Sequence, residues 1–304
     1  MKAKSRLMKN LSRDKYLLIL VAPVLIYYIV FHYMPMYGTL MAFVDYVPGQ
    51  PILQSEWVGF KWFHEFFSSI FFWRLIRNTF LLSGLTMIFT FPLPIIFAIV
   101  LNEVKNRYFK KTIQTISYMP HFVSLVVIVG IVVNMLSVRD GVINNILEQF
   151  GMERIDFMND PNGFRPLYII IVIWQSYGWN SIIYMASLSS IDPSLYEAAT
   201  IDGANRWQQI IYITLPSLRP VVMMLLILTV GMLMSVGFEQ VMLMYNPATY
   251  GTADVISTYV YRRGIIGSQF SFGAAVGLFN SLINFTLLLA ANYASKKLTA
   301  SSLW

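Results

Sequence analysis

Charged, small and turn-forming residues are concentrated in one polar segment of this chain, EAATIDGANRWQQIIYITLPSLRP, which begins at Glu197. Glu197, Asp202 and Arg206 can form ion pairs with charged groups of another protein. Two small residues beside them let the surface of that protein come close: Ala198 and Ala199. The chemistry that these residue types predict is the docking of a partner. A short rigid helix docked in this way can transmit a push.

The rest of the sequence offers no catalytic constellation. It contains no cysteine, which excludes disulfides, thiolate nucleophiles and cysteine metal sites. His32, His64 and His121 lack the spacing of metal ligands, and no phosphate-binding loop of the form GxxxxGK followed by Ser or Thr is present. The sequence therefore predicts a protein that is not an enzyme, has no metal or cofactor of its own, and takes any ATP hydrolysis from another polypeptide.

Composition indicates a membrane protein. The chain has 304 residues, of which 57% are hydrophobic and only 12% charged, whereas soluble domains carry about 25% charged residues. The net charge of +7 could indicate nucleic acid. However, the basic residues lie at the ends of apolar runs and do not form one face, so we expect membrane lipid and no nucleic acid as a partner.

Six segments are apolar enough to cross a bilayer, which takes about 20 residues per helix. They predict an all-α integral membrane protein with six transmembrane helices. With the N-terminus inside, the cytoplasmic segments hold 14 of the 22 Lys and Arg residues, so the charge bias places both termini in the cytoplasm. The approximate bounds of the spans are residues 16–41, 77–101, 116–136, 166–188, 216–245 and 272–293.

Local signals predict a short helix at the start of the central polar segment. Asp192 followed by Pro193 is typical of a helix start, and Ser194 with Glu197 offers an alternative capping box two residues later. Gly203 fits the end of this helix, where a positive φ is needed.

A second short helix is predicted for residues 205–213. Pro216 is then expected to break or kink the entry to the fifth span, and Pro220 can do the same one turn later. Near the C-terminus, Gly273 and Gly277 stand four residues apart in the last span, a spacing that favours close helix packing.

At the central segment the chain resembles a known family, the permease subunits of ABC importers, through their EAA loop. The outer string WVGFKWFHEFF, which begins at Trp57, and the tripeptide that begins at Arg77 resemble further elements of the carbohydrate-importer branch. Tyr196 and Trp207 are also typical of that branch. One departure is the pair of isoleucines at 210–211, where many members have an aromatic residue. The matching positions of the loop are Glu197, Ala198, Ala199, Asp202, Gly203, Ala204, Ile213, Leu215, Pro216 and Pro220.

The resemblance implies a six-helix, MetI-like type I importer permease in the plasma membrane of a bacterium. Within the branch, the chain is most similar to permeases for polysaccharides or complex oligosaccharides in Gram-positive species. It implies the following division: residues 1–15 a basic cytoplasmic N-terminus, 16–41 the first transmembrane helix, 42–76 an aromatic extracellular loop, 77–295 a core permease domain with five transmembrane helices and a cytoplasmic coupling loop at 192–216, and 296–304 a cytoplasmic tail.

The resemblance also implies partners. These are a second permease, which in the sugar branch is usually a different chain, two ATPase subunits that hold ATP and Mg²⁺, an extracellular substrate-binding lipoprotein, and an oligosaccharide. The residues implied to contact an ATPase subunit are Tyr196, Glu197, Ala198, Ala199, Asp202, Gly203, Ala204, Arg206, Leu215 and Pro216.

Polar and aromatic residues inside the predicted spans are candidates for a substrate path, because polar groups are costly in a membrane and usually face a cavity or another helix. Sugars bind through aromatic stacking and amide or carboxylate hydrogen bonds, which this set supplies. Hydrogen bonding between helices is the alternative interpretation. The candidates are Trp174, Tyr177, Trp179, Asn180, Glu239, Gln240, Asn280 and Asn284.

Two other functions stay open from the sequence. The same machinery could import an amino acid, a peptide or a metal, against which the long form of the loop argues by resemblance. A stand-alone secondary carrier is the other alternative, but such proteins often carry broken helices with embedded charges, and few acidic residues lie in the predicted spans.

Overall fold

The computed structural model describes residues 15–299, so the basic residues before Lys15 and the end of the predicted tail lie outside the described part. The chain divides into two units. The first unit consists of residues 1–67 and 263–278, and the second of residues 68–262 and 279–304.

The first unit begins with an apolar helical stretch, Lys15–Phe43, which is 29 residues long. It consists of α1 (Lys15–Tyr28), a π-helical turn (Ile29–Tyr33) and a 3₁₀ segment (Met34–Phe43). This confirms a helix where the first span is predicted, with its end two residues later.

A short antiparallel pair and a helix follow, where the sequence predicts an aromatic loop. Strand β1 (Val44–Asp45) pairs with β2 (Glu56–Trp57), a 3₁₀ turn (Ile52–Gln54) lies between them, and α2 (Lys61–Phe67) follows. The ring of Phe43 stacks on that of Trp57 with centroids 5.8 Å apart. The indole nitrogen of Trp62 donates to the carbonyl of Val44 at 3.0 Å. The aromatic residues therefore hold the segment together by packing on one another.

Residues 263–278 complete the first unit. Arg263 forms an ion pair with Glu65 and lies over the ring of Phe272, 4.1 Å from its centroid. A side chain at Gly264 would place its Cβ 3.0 Å from the Cα of Gly273, so these two glycines allow a close approach. The expected close packing at Gly273 is confirmed, whereas a Cβ at Gly277 would meet nothing within 4 Å.

The second unit is a helical bundle with no sheet among its described residues. A 3₁₀ turn (Met119–Phe122) and two π-helical turns (Ile210–Thr214, Tyr261–Ile266) connect or extend the helices, the last of them running into the first unit. The helices are α3 (Phe72–Thr90), α4 (Pro92–Glu103), α5 (Arg107–Tyr118), α6 (Leu125–Met135), α7 (Val142–Gln149), α8 (Phe164–Ser189), α9 (Pro193–Ile201), α10 (Arg206–Gln209), α11 (Leu215–Gly231), α12 (Phe238–Met244), α13 (Tyr250–Ala253), α14 (Ile256–Val260) and α15 (Phe270–Thr299), which begins in the first unit.

Helix α8 is the centre of this bundle and packs against α3, α4, α5 and α11. Its length agrees with the predicted fourth span. One face contributes buried apolar side chains to two clusters, with Tyr168 and Ile171 in one and Tyr184 and Leu188 in the other. Gly178 lies on this helix where α5 crosses closest.

Replacing Gly178 with valine should destabilise the fold by about 1–3 kcal/mol, because a Cβ there would lie 2.1 Å from the backbone carbonyl oxygen of Ser117, which cannot rotate away. Gly84→Val is the matched control, because a Cβ at Gly84 meets nothing within 4 Å. Thermal unfolding in detergent measures both. Equal losses for the two variants would contradict the close contact.

Four helical stretches are long and apolar enough to cross a membrane, or five if a bent pair counts as one, within residues 15–299. The predicted third span corresponds to the bent pair: α5 with its 3₁₀ turn meets α6 at 97°. A straight third span over residues 116–136 is therefore wrong, because the chain turns between Pro120 and Leu125. The four stretches are Lys15–Phe43, Phe72–Glu103, Arg206–Gly231 and Phe270–Lys297.

Two further spans differ from the prediction. The second begins five residues earlier, at Phe72, so Arg77 lies inside the helix and not at its start. The fifth is not continuous to residue 245, because α11 ends at Gly231 and α12 begins at Phe238. At this break, Asn284 accepts a hydrogen bond from the backbone N–H of Met234 at 2.9 Å.

Candidate functional site

The loop that connects α8 to α11 begins with a well-capped helix. Asp192 is the N-cap of α9, and its carboxylate accepts the backbone N–H of Ser194 at 2.9 Å. This bond to Ser194 holds the pKa of Asp192 below its usual value. Pro193 occupies the first turn, as predicted, and the alternative capping box at Ser194 is not formed.

Gly203 ends α9 with φ at +77°, which confirms the predicted glycine stop. The N–H of Ala204 bonds to the carbonyl of Ala199 at 2.8 Å, and the N–H of Gly203 bonds to that of Thr200 at 3.1 Å. These are the two bonds of a Schellman motif, which satisfies the last carbonyls of a helix and reverses the chain.

The second loop helix starts two residues later. Asn205 and Gln208 form a reciprocal capping box, with bonds of 3.0 and 2.8 Å. Helix α10 then runs through the π-helical turn into α11, so Arg206–Gly231 is one apolar stretch of 26 residues. Of the two outcomes predicted for Pro216, a break or a kink, the break is wrong. The N–H of Leu215 bonds five residues back to Ile210, and Pro216 lies in the first turn after this wider turn, where a missing N–H is tolerated.

Side-chain hydrogen bonds join the two loop helices into one body. The hydroxyl groups of Tyr196 and Thr214 lie 2.9 Å apart. The amide of Gln209, whose side chain is buried, donates to the hydroxyl of Thr200 at 3.0 Å. Because α10 continues into α11, these bonds connect α9 to the membrane helix.

The outer face of this body is open and partly apolar. Glu197, Ala198 and Asp202 are exposed. Ile201 is 87% exposed and Trp207 74% exposed, although both are large hydrophobic residues. Ile201 was not among the predicted docking residues, although it lies within the EAA segment at the end of a capped helix.

Arg206, predicted to pair with a partner's charge, already has a neighbour within the chain. Its guanidinium lies 3.6 Å from the carboxylate of Glu103. Both side chains are exposed, so this pair is worth little and leaves the guanidinium accessible.

The candidate path residues of α8 have different surroundings. The hydroxyl of Tyr177 donates to Ser117 at 3.1 Å, and the ring of Trp179 stacks on that of His121 with centroids 4.5 Å apart. Trp174 remains half-exposed, and Asn180 lines a cavity of about 230 Å³. Asn180 is thus the member of this group that faces open space inside the bundle.

The remaining path candidates lie around the break after α11. Gln240 is buried and donates to the carbonyl of Tyr168 at 3.0 Å. Asn284 bonds to Met234 and Ser235 across the break. Glu239 lies on the separate helix α12, beyond the interruption of the fifth span, is exposed, and has no hydrogen-bond partner among residues 15–299. Asn280 has a buried carbonyl oxygen without a partner in the same range.

A second cavity, of about 320 Å³, adjoins the first and shares Thr90 and Thr229 with it. Ser83, Thr86 and Thr90 line the two cavities from α3, at the i, i+3 and i+7 spacing of one helical face. The hydroxyls of Ser83 and Thr86 are buried and have no partner among the described residues. Thr229, by contrast, bonds to the carbonyl one turn back at 2.8 Å, as helical threonines commonly do.

A buried ion cluster holds the segment after α12. Asp254 is fully buried, and its carboxylate accepts two bonds from Arg262 at 2.9 and 2.8 Å and one from Arg74 at 3.3 Å. Thr258 donates to the same carboxylate at 2.8 Å. Arg262 also lies over the ring of Tyr250, 4.7 Å from its centroid. This cluster ties the short helices α13 and α14 to α3.

The chain matches a known family and several known proteins. Residues 90–300 match the model of the family described as the binding-protein-dependent transport system inner membrane component. The chain belongs to this family. The permease is similar to Protein LplB of Bacillus subtilis, with 43% identity over 98% of this chain and 93% of the relative. It is equally similar to the polygalacturonan/rhamnogalacturonan transport system permease protein YteP of Bacillus subtilis, with 43% identity over 97% of this chain and 92% of that protein.

Two solved structures resemble the permease over nearly its whole length. One is a bacterial ABC transporter involved in the import of the acidic polysaccharide alginate, with a TM-score of 0.89 and 44% identity over 97% of this chain and 99% of that chain. The other is a bacterial alginate ABC transporter in complex with an alginate pentasaccharide-bound periplasmic protein, with a TM-score of 0.91 and 43% identity over 98% and 100% of the two chains.

Family membership confirms the resemblance found at the EAA segment. The permease is a multi-pass membrane protein with an all-helical bundle and is a transporter subunit, not an enzyme. Membership also argues against the stand-alone carrier. The hydroxyl row of Ser83, Thr86 and Thr90 was not predicted. Its signal in the sequence is a set of small polar residues on one face of an apolar helix.

Proposed function

We propose that this chain is one of two permease subunits of an ATP-driven importer that takes up an oligosaccharide delivered by an extracellular binding protein. It crosses the membrane six times with both termini in the cytoplasm. Four crossings are the long apolar helices, the bent pair provides a fifth, and α8, which is 26 residues long, provides the sixth. The polar residues of α8 lower its hydropathy and suit a helix that is surrounded by others.

The observation that carries this proposal is the continuity between the loop and the membrane helix. A capped helix with exposed Ile201 is bonded to a second helix that continues into α11. An ATPase subunit that binds α9 can therefore move α11 together with it. ATP and Mg²⁺ belong to that subunit. The coupling residues proposed are Tyr196, Glu197, Ala198, Ala199, Ile201, Asp202, Gly203, Ala204, Arg206, Leu215 and Pro216.

The relatives support the cargo and the partners. The name of YteP specifies polygalacturonan and rhamnogalacturonan, and one structural neighbour is bound to a periplasmic protein that carries an alginate pentasaccharide. We infer a polysaccharide breakdown product as the cargo here, a second and different permease as the partner in the membrane, and a binding lipoprotein outside. The division of the chain into a first helix, an outer loop and a core domain that begins near residue 77 is part of the same proposal.

The two adjoining cavities are the proposed substrate path. Their hydroxyls and the amide of Asn180 can bond to sugar hydroxyls, and half-exposed Trp174 offers an aromatic face. A buried hydroxyl without a partner costs about 1–3 kcal/mol, so Ser83 and Thr86 favour a state of the path in which a sugar satisfies them. Tyr177, Gln240 and Asn284 bond within the chain and position the walls of the path.

A crosslink tests the docking surface directly. Because the sequence has no cysteine, Ala198→Cys introduces a single thiol on α9. In the assembled complex, a short thiol-reactive crosslinker at this position should reach an ATPase subunit. A crosslink found only to other proteins would overturn the proposal.

Replacing Ile201 with aspartate should weaken docking about 30-fold, since a hot-spot residue at the centre of an interface contributes about 2 kcal/mol or more. Ile70→Asp is the matched control, because Ile70 is 88% exposed and lies far from the loop in sequence. Copurification of the ATPase and ATP-dependent uptake in proteoliposomes measure the effect. Loss of docking in both variants, or in neither, would contradict a specific role of Ile201.

A further inference from the structure

Two arginines of the second unit meet at one small polar site. The guanidinium of Arg77 donates to the carbonyl of Gly251 at 3.3 Å, and that of Arg165 donates to the side-chain oxygen of Asn78 at 3.0 Å. The amide of Asn78 donates to the same carbonyl of Gly251 at 3.1 Å and to that of Asp254 at 3.0 Å. Asn78 thus links both guanidinium groups to the chain around Gly251.

No carboxylate neutralises this pair. Arg77 and Arg165 form no ion pair with an acidic side chain of residues 15–299, whereas Arg74 and Arg262 share the carboxylate of Asp254. Four linked arginines therefore have one buried acid among them, and two of the four do not contact it. Arg77 is exposed, and the Nε atom of Arg165 is buried without a hydrogen-bond partner in that range.

Arg165 lies one residue before the predicted span of α8. Because neither guanidinium group has a carboxylate partner in residues 15–299, the two positive charges repel each other. An anion between the two guanidinium groups would remove this repulsion. The planar, forked guanidinium is the group best suited to a carboxylate, which it can bind through two parallel hydrogen bonds.

The pair lies on the two helices that line the proposed path. Tyr168, one turn along α8 from Arg165, lines the larger cavity. Ser83 follows Arg77 by six residues on α3, which is about 9 Å along the helix. A ligand group held by the two arginines is therefore close to the hydroxyl row that begins at Ser83.

We propose that Arg77 and Arg165 form a carboxylate-binding site that recognises an acidic oligosaccharide, one built of uronate units, at the entry to the path. The proposal rests on the proposed function, because it names the class of sugar that the importer carries. An acidic side chain of the binding protein could supply the same group, and the experiment separates these two sources.

The test uses the full complex in proteoliposomes, with its own binding protein and two probes. These are short oligogalacturonates and the same oligomers as methyl esters, which lack the charge. Binding-protein-stimulated ATP hydrolysis and uptake are measured for wild type, Arg77→Gln and Arg77→Lys. Arg139→Gln is the matched control, because Arg139 is another exposed arginine and is also predicted to lie outside.

Arg77→Gln should raise the half-saturating concentration of the acidic oligomer about tenfold, the usual loss for one charged hydrogen bond, and leave that of the ester unchanged. Arg77→Lys keeps the charge but loses the fork, so its shift should be smaller. Because the binding protein is the same throughout, the ratio of the half-saturating concentrations of variant and wild type reports the effect of the permease alone.

Three outcomes would overturn the site. Equal shifts for acid and ester mean that the pair does not bind the carboxylate of the sugar. The pair then either supports the fold or contacts an acidic group of the binding protein, and a changed dependence of uptake on binding-protein concentration would identify the second case. A shift in Arg139→Gln as large as in Arg77→Gln means that only net charge matters. A wild-type complex that transports neither probe nor any other oligosaccharide refutes the proposed function, and this site with it.

Discussion

Replacing Gly203 with proline should abolish ATP-driven uptake while leaving the membrane bundle intact. Gly203 has a φ of +77°, which proline cannot adopt because its ring holds φ near −65°. The change also removes the N–H that bonds to Thr200. The reversal between α9 and α10 would be lost, so α9 would no longer be presented to an ATPase subunit. We expect uptake at background level in proteoliposomes that contain the whole importer.

Asparagine at the same position provides the control for this prediction. It tolerates a positive φ better than other non-glycine residues and keeps the N–H, and a Cβ at Gly203 meets nothing within 4 Å. Gly203→Asn should therefore retain most of the uptake. Full uptake by Gly203→Pro would show that the geometry of this turn does not matter for coupling.

The local structure of the loop could be predicted from the sequence because its signals are local. Asp192, Pro193 and Gly203 each act on the backbone within a few residues. The break predicted at Pro216 did not form. A proline usually ends a helix only if the preceding turn cannot adapt, and here the chain widens into a π-helical turn before Pro216, which no residue type in the sequence specifies.

The bends and breaks of the membrane helices depend on distant contacts. The residues between Gly231 and Phe238 are mostly apolar, so hydropathy predicts that the span continues. Asn284 bonds to the backbone there from fifty residues away. A Cβ at Gly237 would lie 2.8 Å from the hydroxyl of Tyr168, another long-range contact. Sequence patterns that describe one helix at a time contain neither contact.

Polar residues in the predicted spans were recognised as candidates, but the sequence could not divide them between path and packing. The amide of Gln240 bonds to a backbone carbonyl of α8, whereas Asn180 lines a cavity, and nothing in the residue types distinguishes these two amides. The arginines show the same limit. Arg77 and Arg165 are 88 residues apart, and their common link through Asn78 depends on how α3 and α8 pack.

The largest effect on stability is expected at Asp254. Replacing it with asparagine should lower the free energy of unfolding by about 3 kcal/mol, because Arg74 and Arg262 would then lie in a partly buried site without a counter-charge. The partial exposure of both arginines, at 32% and 26%, places the expected loss at the low end of the range for buried pairs. Thermal or SDS-induced unfolding of the purified permease measures it.

Asp45→Asn provides the comparison, since it also removes one carboxylate, but one that binds a single cation. Its partner Lys61 lies 2.9 Å away, and both side chains are nearly half exposed, so the loss should be far smaller than at Asp254. Similar losses at both positions would mean that burial does not determine how much these ion pairs contribute to the free energy of unfolding. A large loss at Asp254 alone would show that this buried carboxylate is the counter-charge on which both arginines depend.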